Sequence, residues 1–325
     1  MNLPKKPIAE LFGAMFHGKQ KFADFIGADV TSLYTTTTPR IGSKRRTLHM
    51  PSDKLRAYHE FLNLFVFEFL PVNTGVAFAY RKGVSAADAV RIHKHGRHFL
   101  VSDLADFFPS IDVSLVRATL VGGAMASPVE GLESNLDRIL QLVCIDDALP
   151  LGFSTSPVLS NAVLFAFDTA LQKECESRSL VYSRYSDDLI ISGSDRDEVH
   201  GAGQIVEGLL REHFGEKLRL NPFKSKSLHV GSKVRLLGVV LLPNGKVTVD
   251  AKLRANIEVL LHFYLKDRAK FADFAKKVTG EPDKAEARLS GWINYINAVD
   301  QEYLDKLRMK YGSALVDRFV HRSFG

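Results

Sequence analysis

Asp187 and Asp188 stand side by side between two apolar, β-prone runs, Val181-Tyr182-Ser183-Arg184-Tyr185 and Leu189-Ile190-Ile191-Ser192-Gly193. The pattern predicts a tight hairpin with a pair of carboxylates at its tip. Adjacent carboxylates repel each other, and divalent cations offset that repulsion. Turns also favour Asp for their own backbone reasons, so the pair alone reads first as an ordinary polar tip. A second acidic stretch, Leu100 to Asp112, changes the balance. Asp103 interrupts an apolar run where Val101 and Leu104 are of buried type, and a carboxylate there is costly unless it is paired or metal-bound. Strand alternation puts Val101, Asp103 and Ala105 on one face and Asp106 on the other. One carboxylate from each acidic strand can bridge two Mg²⁺ ions about 3.5–4 Å apart, which activate a 3′-oxygen nucleophile and stabilise a pyrophosphate leaving group.

Other residues have chemistry suited to a phosphate-bearing substrate. Lys44, Arg45 and Arg46 follow a Gly42-Ser43 turn inside a β-prone stretch from Thr35 to Ser52. A basic tip of this kind is either simply solvated or a phosphate clamp, with Arg supplying a planar fork and Lys a point charge. In Leu149 to Asn161, Gly152 permits close backbone approach and Ser154-Thr155-Ser156 can cap a helix, leaving N–H groups that suit a phosphate; capping alone explains the cluster as well. His93, His95 and His98 match none of the common zinc spacings, and no cysteine lies near them.

The elements needed to position these groups follow from the apolar spacing. Helices are expected in Leu3–Val30, from Leu55 to Phe69, in the run ending at His93, from Asn135 to Cys144, from the 149–161 segment to about Lys173, from Glu198 to Phe214, and from Asp250 onward, where Lys and Arg recur. Strands are expected at Val76–Ser85, Leu218–Ser227 and Leu236–Leu241, with a loop from Gly122 to Glu133 and turns at Gly231-Ser232 and Asn244-Gly245. The acidic hairpin is joined too tightly for a parallel crossover, which disfavours a doubly wound parallel sheet. With 325 residues, 46% hydrophobic and 25% charged, the chain has the balance of a soluble protein of about two domains. Its net charge of +6 favours a polyanionic partner such as nucleic acid. Two cysteines, Cys144 and Cys175, in apolar contexts point to a reducing compartment. No segment reaches the ~18 apolar residues that span a bilayer, so a cytoplasmic protein with no membrane partner is expected.

Taken in chain order, these stretches resemble a known family. Asp103 to Ile111, Leu149 to Asn161, Tyr185-Ser186-Asp187-Asp188 and Asn221-Pro222-Phe223-Lys224-Ser225 are similar to the first catalytic motif, the template and nucleotide motif, the Tyr-x-Asp-Asp box and the Asn-x-x-Lys-Thr/Ser motif of reverse transcriptases, most of all those of bacterial retrons. The likeness runs from about Thr37 to Gly312. It implies an α+β right-hand polymerase, with fingers in 1–97 and 118–148, an antiparallel-sheet palm in 98–117 and 149–243, and a helical thumb in 244–325. It implies RNA-directed DNA synthesis with two Mg²⁺ ions held by Asp103 and Asp187, with Asp188 at the same tip and the Leu104 carbonyl available to one ion. Lys44 and Arg46 would hold the incoming triphosphate, the backbone around Asp106 and Phe107 would receive its tail, and Gly152 belongs to the nucleotide motif. Phe108 stands where the family carries an aromatic gate against a 2′-OH, and Lys224 where it carries the proton donor to pyrophosphate. The implied partners are deoxynucleotides, a structured non-coding RNA as template and as primer, the DNA product, and a separate effector protein of an anti-phage system. A defence-associated reverse transcriptase of another branch, or an RNA-binding scaffold for such an effector, are the alternatives. Three stretches depart from the pattern. Pro150-Leu151-Gly152 replaces Pro-Gln-Gly, Ala89 to His93 keeps only the histidine of Asn-Ala-x-x-His, and Leu236-Leu237-Gly238 replaces Val-Thr-Gly.

Overall fold

Helical spacing at the N-terminus closes into an aromatic cluster. Helices Ile8–Phe16, Phe22–Gly27 and Asp53–Phe65 bring together Phe12, Phe25, Tyr58 and Phe61, all fully buried. The Phe12 ring centroid lies 5.2 Å from those of both Phe25 and Phe61, within the range where tilted and edge-on aromatic pairs attract. The computed structural model describes residues 5–42, 44–124, 126–231, 233–279 and 284–321, without the side chains of Ile41, Lys44 and Thr279. The turn residues Ser43 and Ser232 lie outside that description. The chain divides into two compact units, one of residues 1–82, 100–191 and 197–226, the other of 83–99, 192–196 and 227–325.

In the first unit, strands Tyr34–Thr37 and Leu48–Pro51 pair antiparallel with Thr36 opposite His49, and Arg40–Ile41 pairs with Lys44–Arg45 beyond them. Strands His98–Asp103, Asp188–Gly193 and Val181–Tyr185 are neighbours in that order in one sheet. The last two are joined by Ser186 and Asp187 alone, with Ser186 at φ 61°, which makes them antiparallel as the sequence predicts. Helix Phe165–Ser177 packs on strand Val181–Tyr185, and its Phe167 and Leu171 are fully buried.

Several expected elements differ in extent, some because contacts with distant residues override local periodicity. The helix expected to run on to Lys173 breaks at Leu164 (φ −84°, ψ 2°) into Ser156–Val163 and Phe165–Ser177. The halves are anchored separately, by Asn161 to the Ala79 carbonyl and by Asp168 to Arg184. The expected strand Val76–Ser85 is irregular, bridged to the sheet at Ala77 and Arg184 before Tyr80 turns into left-handed geometry. The strand expected from Leu218 starts only at Lys226, because Asn221 folds the intervening residues into a turn, its Oδ1 accepting the Phe223 N–H at 3.1 Å. Helix Asp53–Phe65 stops short of Phe69, the chain continuing as a 3₁₀ turn over Phe67–Phe69. The expected loop from Gly122 contains a short strand, Val129–Glu130, paired parallel with Lys6–Pro7.

The second unit holds an antiparallel ladder, Val234–Leu236, Val239–Leu241 and Val247–Thr248. Leu237 and Gly238, both at positive φ (50° and 81°), make its first turn. Helices Ala251–Lys266, Arg268–Thr279, Ala285–Val299, Gln301–Tyr311 and Ser313–Val320 follow, with Leu260, Leu289, Ile293 and Leu304 fully buried. His93 is fully buried with Nδ1 2.7 Å from the Ser192 hydroxyl, and burial pushes its pKa down to about 3. No metal-type cluster of three or more His, Cys, Asp or Glu occurs among the described residues. Nor is any helix among them long and apolar enough to cross a membrane.

Candidate active site

A cavity of about 640 Å³ in the first unit collects most of the residues singled out above. Asp103, Leu104, Asp106, Phe107, Phe108, Asp187, Lys224 and Arg46 line it. Asp188 and Gly152 do not, and the Lys44 side chain lies outside the described residues. Arg45, His49, Tyr80, Leu151 and Asn221 complete much of the wall.

The two acidic strands are stitched together at this point. Asp103 ends its strand with a side chain only 9% exposed. The next residue, Leu104, donates its N–H to the Asp187 carbonyl at 2.9 Å, fixing one acid relative to the other through the backbone. The Asn221 turn closes over Asp103 from the far side. Its N–H meets the Asp103 carbonyl at 2.7 Å, and its carbonyl accepts the Lys224 N–H at 3.1 Å. This places Lys224 Nζ 2.6 Å from Asp103 Oδ1, and the hydrogen bond, backed by the charges of Asp103, Asp187 and Asp188, raises the ammonium's pKa.

Asp188 records the crowding of the acids. Burial first, then the Asp187 and Asp103 charges, push its pKa up to about 6, with Lys224 opposing. Although no cluster of three or more metal-type side chains forms among the described residues, the two carboxylates on the cavity, Asp103 and Asp187, are oxygen donors of the kind hard divalent cations take. Above the acids, Arg46 is set by its N–H on the Pro39 carbonyl at 3.1 Å. Asp106 adopts left-handed geometry (φ 43°) and starts the short helix Phe107–Ser110. That turn leaves Phe107 in the core and Phe108 half-buried on the cavity wall, with ring centroids 5.3 Å apart.

Gly152 serves the backbone. At φ 109°, a Cβ there would stand 2.2 Å from the His49 carbonyl oxygen, while the His49 N–H donates to the Leu151 carbonyl at 2.8 Å. The motif is therefore a seat for strand Leu48–Pro51, the root of the arm that bears Arg45 and Arg46. Gly152→Ala is expected to cost about 2 kcal/mol of stability, as overpacking does, and to raise KM for nucleotide by moving that arm. Urea unfolding and steady-state kinetics check both.

Sequence reasoning missed the support beneath the hairpin. Arg184 is fully buried, its Nη2 2.6 Å from Asp168 Oδ2 and its Nε 2.9 Å from Asp168 Oδ1. Its Nη1 reaches Asn161 Oδ1 and the Ser186 carbonyl, each at 3.1 Å. The Tyr182 hydroxyl donates to Asp168 at 2.8 Å. The signal was available: an arginine inside an apolar strand poses the same cost as Asp103 and demands a buried partner.

The arrangement has counterparts. A family model described as reverse transcriptase (RNA-dependent DNA polymerase) matches residues 38–241. The retron Ec73 reverse transcriptase of Escherichia coli is 26% identical over 279 residues, covering 82% of this chain and 83% of its own. The retron Ec83 enzyme of the same organism is 24% identical over 292 residues, covering 86% and 87%. The retron Mx162 enzyme of Myxococcus xanthus is 24% identical over 313 residues, covering 90% of this chain and 63% of its own. Among solved structures, apo telomerase from Candida tropicalis superposes with a TM-score of 0.52 at 10% identity, covering 92% of this chain and 62% of that one, a likeness of fold alone. The fold is thus the expected α+β reverse transcriptase fold, and its acidic hairpin lies within the matched span. The chain belongs to the reverse transcriptase family and is an RNA-directed DNA polymerase of the bacterial retron type.

Proposed function

We propose that this polymerase copies a structured non-coding RNA into DNA by two-metal nucleotidyl transfer. The observation that carries the reading is the meeting of Asp103, Asp187 and Lys224 with Arg46 and Phe108 on one cavity. Asp103 and Asp187, with Asp188 at the same tip and the Leu104 carbonyl, would hold two Mg²⁺ ions. The ions held there would supply activation of the primer 3′-oxygen and an offset to the charge of the leaving pyrophosphate. Arg46 and Lys44 bind the triphosphate, and the backbone at Asp106 and Phe107 receives its tail. Lys224, kept protonated by its carboxylate neighbours, holds its proton at Nζ for the departing pyrophosphate oxygen. Phe108 closes the space beside the sugar 2′ position, so deoxynucleotides are selected. In this reading the fingers comprise 1–97 and 118–148, the palm 98–117 and 149–243, and the thumb 244–325. The basic helices of the thumb grip the RNA, which is template and primer together.

The relation to retron enzymes supports a place in anti-phage defence, in the cytoplasm, beside a separate effector protein. Primed RNA, deoxynucleotides and Mg²⁺ test the chemistry: extension is expected, and its absence on RNA would overturn the reading. Phe108→Ala is expected to raise ribonucleotide use by roughly 10- to 100-fold, the scale on which a pocket wall rejects one hydroxyl. Single-nucleotide incorporation reads it. Sequencing the nucleic acid that co-purifies from the native locus tests the biology: one RNA joined to complementary DNA supports it, and a random sample of transcripts refutes it.

A further inference from the structure

Tyr80 lines the same cavity, yet none of the sequence motifs includes it. Its segment is irregular but tightly held. The Asn161 amide donates to the Ala79 carbonyl at 2.9 Å, Arg81 Nη1 to the Ala77 carbonyl at 2.7 Å, and the Phe78 N–H to the Arg184 carbonyl at 2.9 Å. These bonds fix Tyr80 at φ 62°, a left-handed geometry that a bulky residue keeps only where its surroundings impose it. The side chain has two contacts of consequence. Its hydroxyl lies 2.5 Å from the Ser186 hydroxyl, immediately before Asp187, and its ring centroid lies 6.4 Å from that of Phe108 at an interplanar angle of 36°.

We propose that Tyr80 is the positioning residue for sugar selection, bracing the Phe108 ring against the turn that carries Asp187. The inference rests on the reading of Phe108 as the wall beside the sugar. An apolar wall rejects an added hydroxyl only as far as the wall holds still, since a few tenths of an ångström of retreat admits the extra oxygen. Phe107, rooted in the core, stops the Phe108 ring on one side. Tyr80 supplies a second aromatic neighbour, and the Ser186 hydroxyl keeps Tyr80 from turning away. A single side chain then sets the spacing between the sugar wall and the acidic turn. Burial raises the phenol's pKa, so the hydroxyl stays protonated and able to bond at working pH.

The test measures kcat/KM for a deoxynucleoside triphosphate and for the matching ribonucleoside triphosphate on one primed RNA. Tyr80→Leu is expected to narrow the ratio about tenfold, the scale of a lost aromatic pair. Tyr80→Phe and Ser186→Ala break the same bond, so each should narrow it by a similar, smaller factor, and the double variant by no more than either alone. A merely structural role would lower both rate constants in proportion. An unchanged ratio in Tyr80→Leu overturns the inference; should that variant fail to fold, an unchanged ratio in both Tyr80→Phe and Ser186→Ala overturns it. Phe108→Ala is run beside them. If it narrows the ratio and Tyr80→Leu does not, the bracing is wrong and the wall stands. If Phe108→Ala leaves the ratio unchanged, the wall itself is wrong and the bracing falls with it.

Discussion

Asp187→Asn is expected to lower DNA synthesis by at least about a thousandfold, the equivalent of several kcal/mol of transition-state stabilisation. The change keeps shape and removes one charge from a turn fixed by the Leu104 N–H on the Asp187 carbonyl, a bond the substitution leaves in place. The fold should therefore survive. Asp188 carries a raised pKa of about 6, partly because of the Asp187 charge, so its folded form favours the proton and loses stability as pH rises from the carboxylate's ordinary range through about 6. Removing the neighbouring charge relieves part of that cost at neutral pH. Thermal unfolding without divalent ions should show a midpoint equal to or above wild type, while single-nucleotide extension shows the loss. Extension within tenfold of wild type would remove Asp187 from the chemistry.

The largest effect on stability is expected at Arg184. Arg184→Met leaves the Asp168 carboxylate fully buried with the Tyr182 hydroxyl as its remaining hydrogen-bond donor, and breaking a buried pair in this way costs about 3–5 kcal/mol. The double variant with Asp168→Leu should recover part of the loss, because it removes the stranded charge. Recovery stops short of complete because the Tyr182 hydroxyl then loses its acceptor, a cost of about 1–3 kcal/mol. Urea unfolding of the two singles and the double distinguishes this from a pair that contributes nothing. In that case all the midpoints would coincide.

The legible parts of this molecule were those in which a residue conflicts with its immediate neighbours. Asp103 in an apolar strand declares a cost that a partner or a metal must offset, the Asp187-Asp188 pair gains meaning beside it, and the structure brings Asp103 and Asp187 to one cavity. Gly152 was legible as a place of close approach, but what approaches it, the His49 carbonyl, is a hundred residues earlier in the chain and leaves no local trace. The break at Leu164 and the irregular path through Tyr80 were hidden for the same reason. Asn161 and Arg184 hold the segment before Tyr80 and Arg184 holds the second half-helix through Asp168, and periodicity within a helix or strand does not register a partner elsewhere. Arg184 is legible as a charge inside an apolar strand, but its partner Asp168 lies on a separate helix.

The contact between Lys224 and Asp103 joins residues 121 positions apart. At synthesis rates of about 5–20 residues per second, Asp103 is made roughly 6–24 s before the ammonium that neutralises it. For that interval the nascent chain carries an acidic strand without its cation, and a carboxylate of this kind resists burial until its partner arrives. The strand ending at Asp103 thus has reason to dock late. A ribosome that stalls before Lys224 leaves a chain with the acids already made and no lysine to seat them.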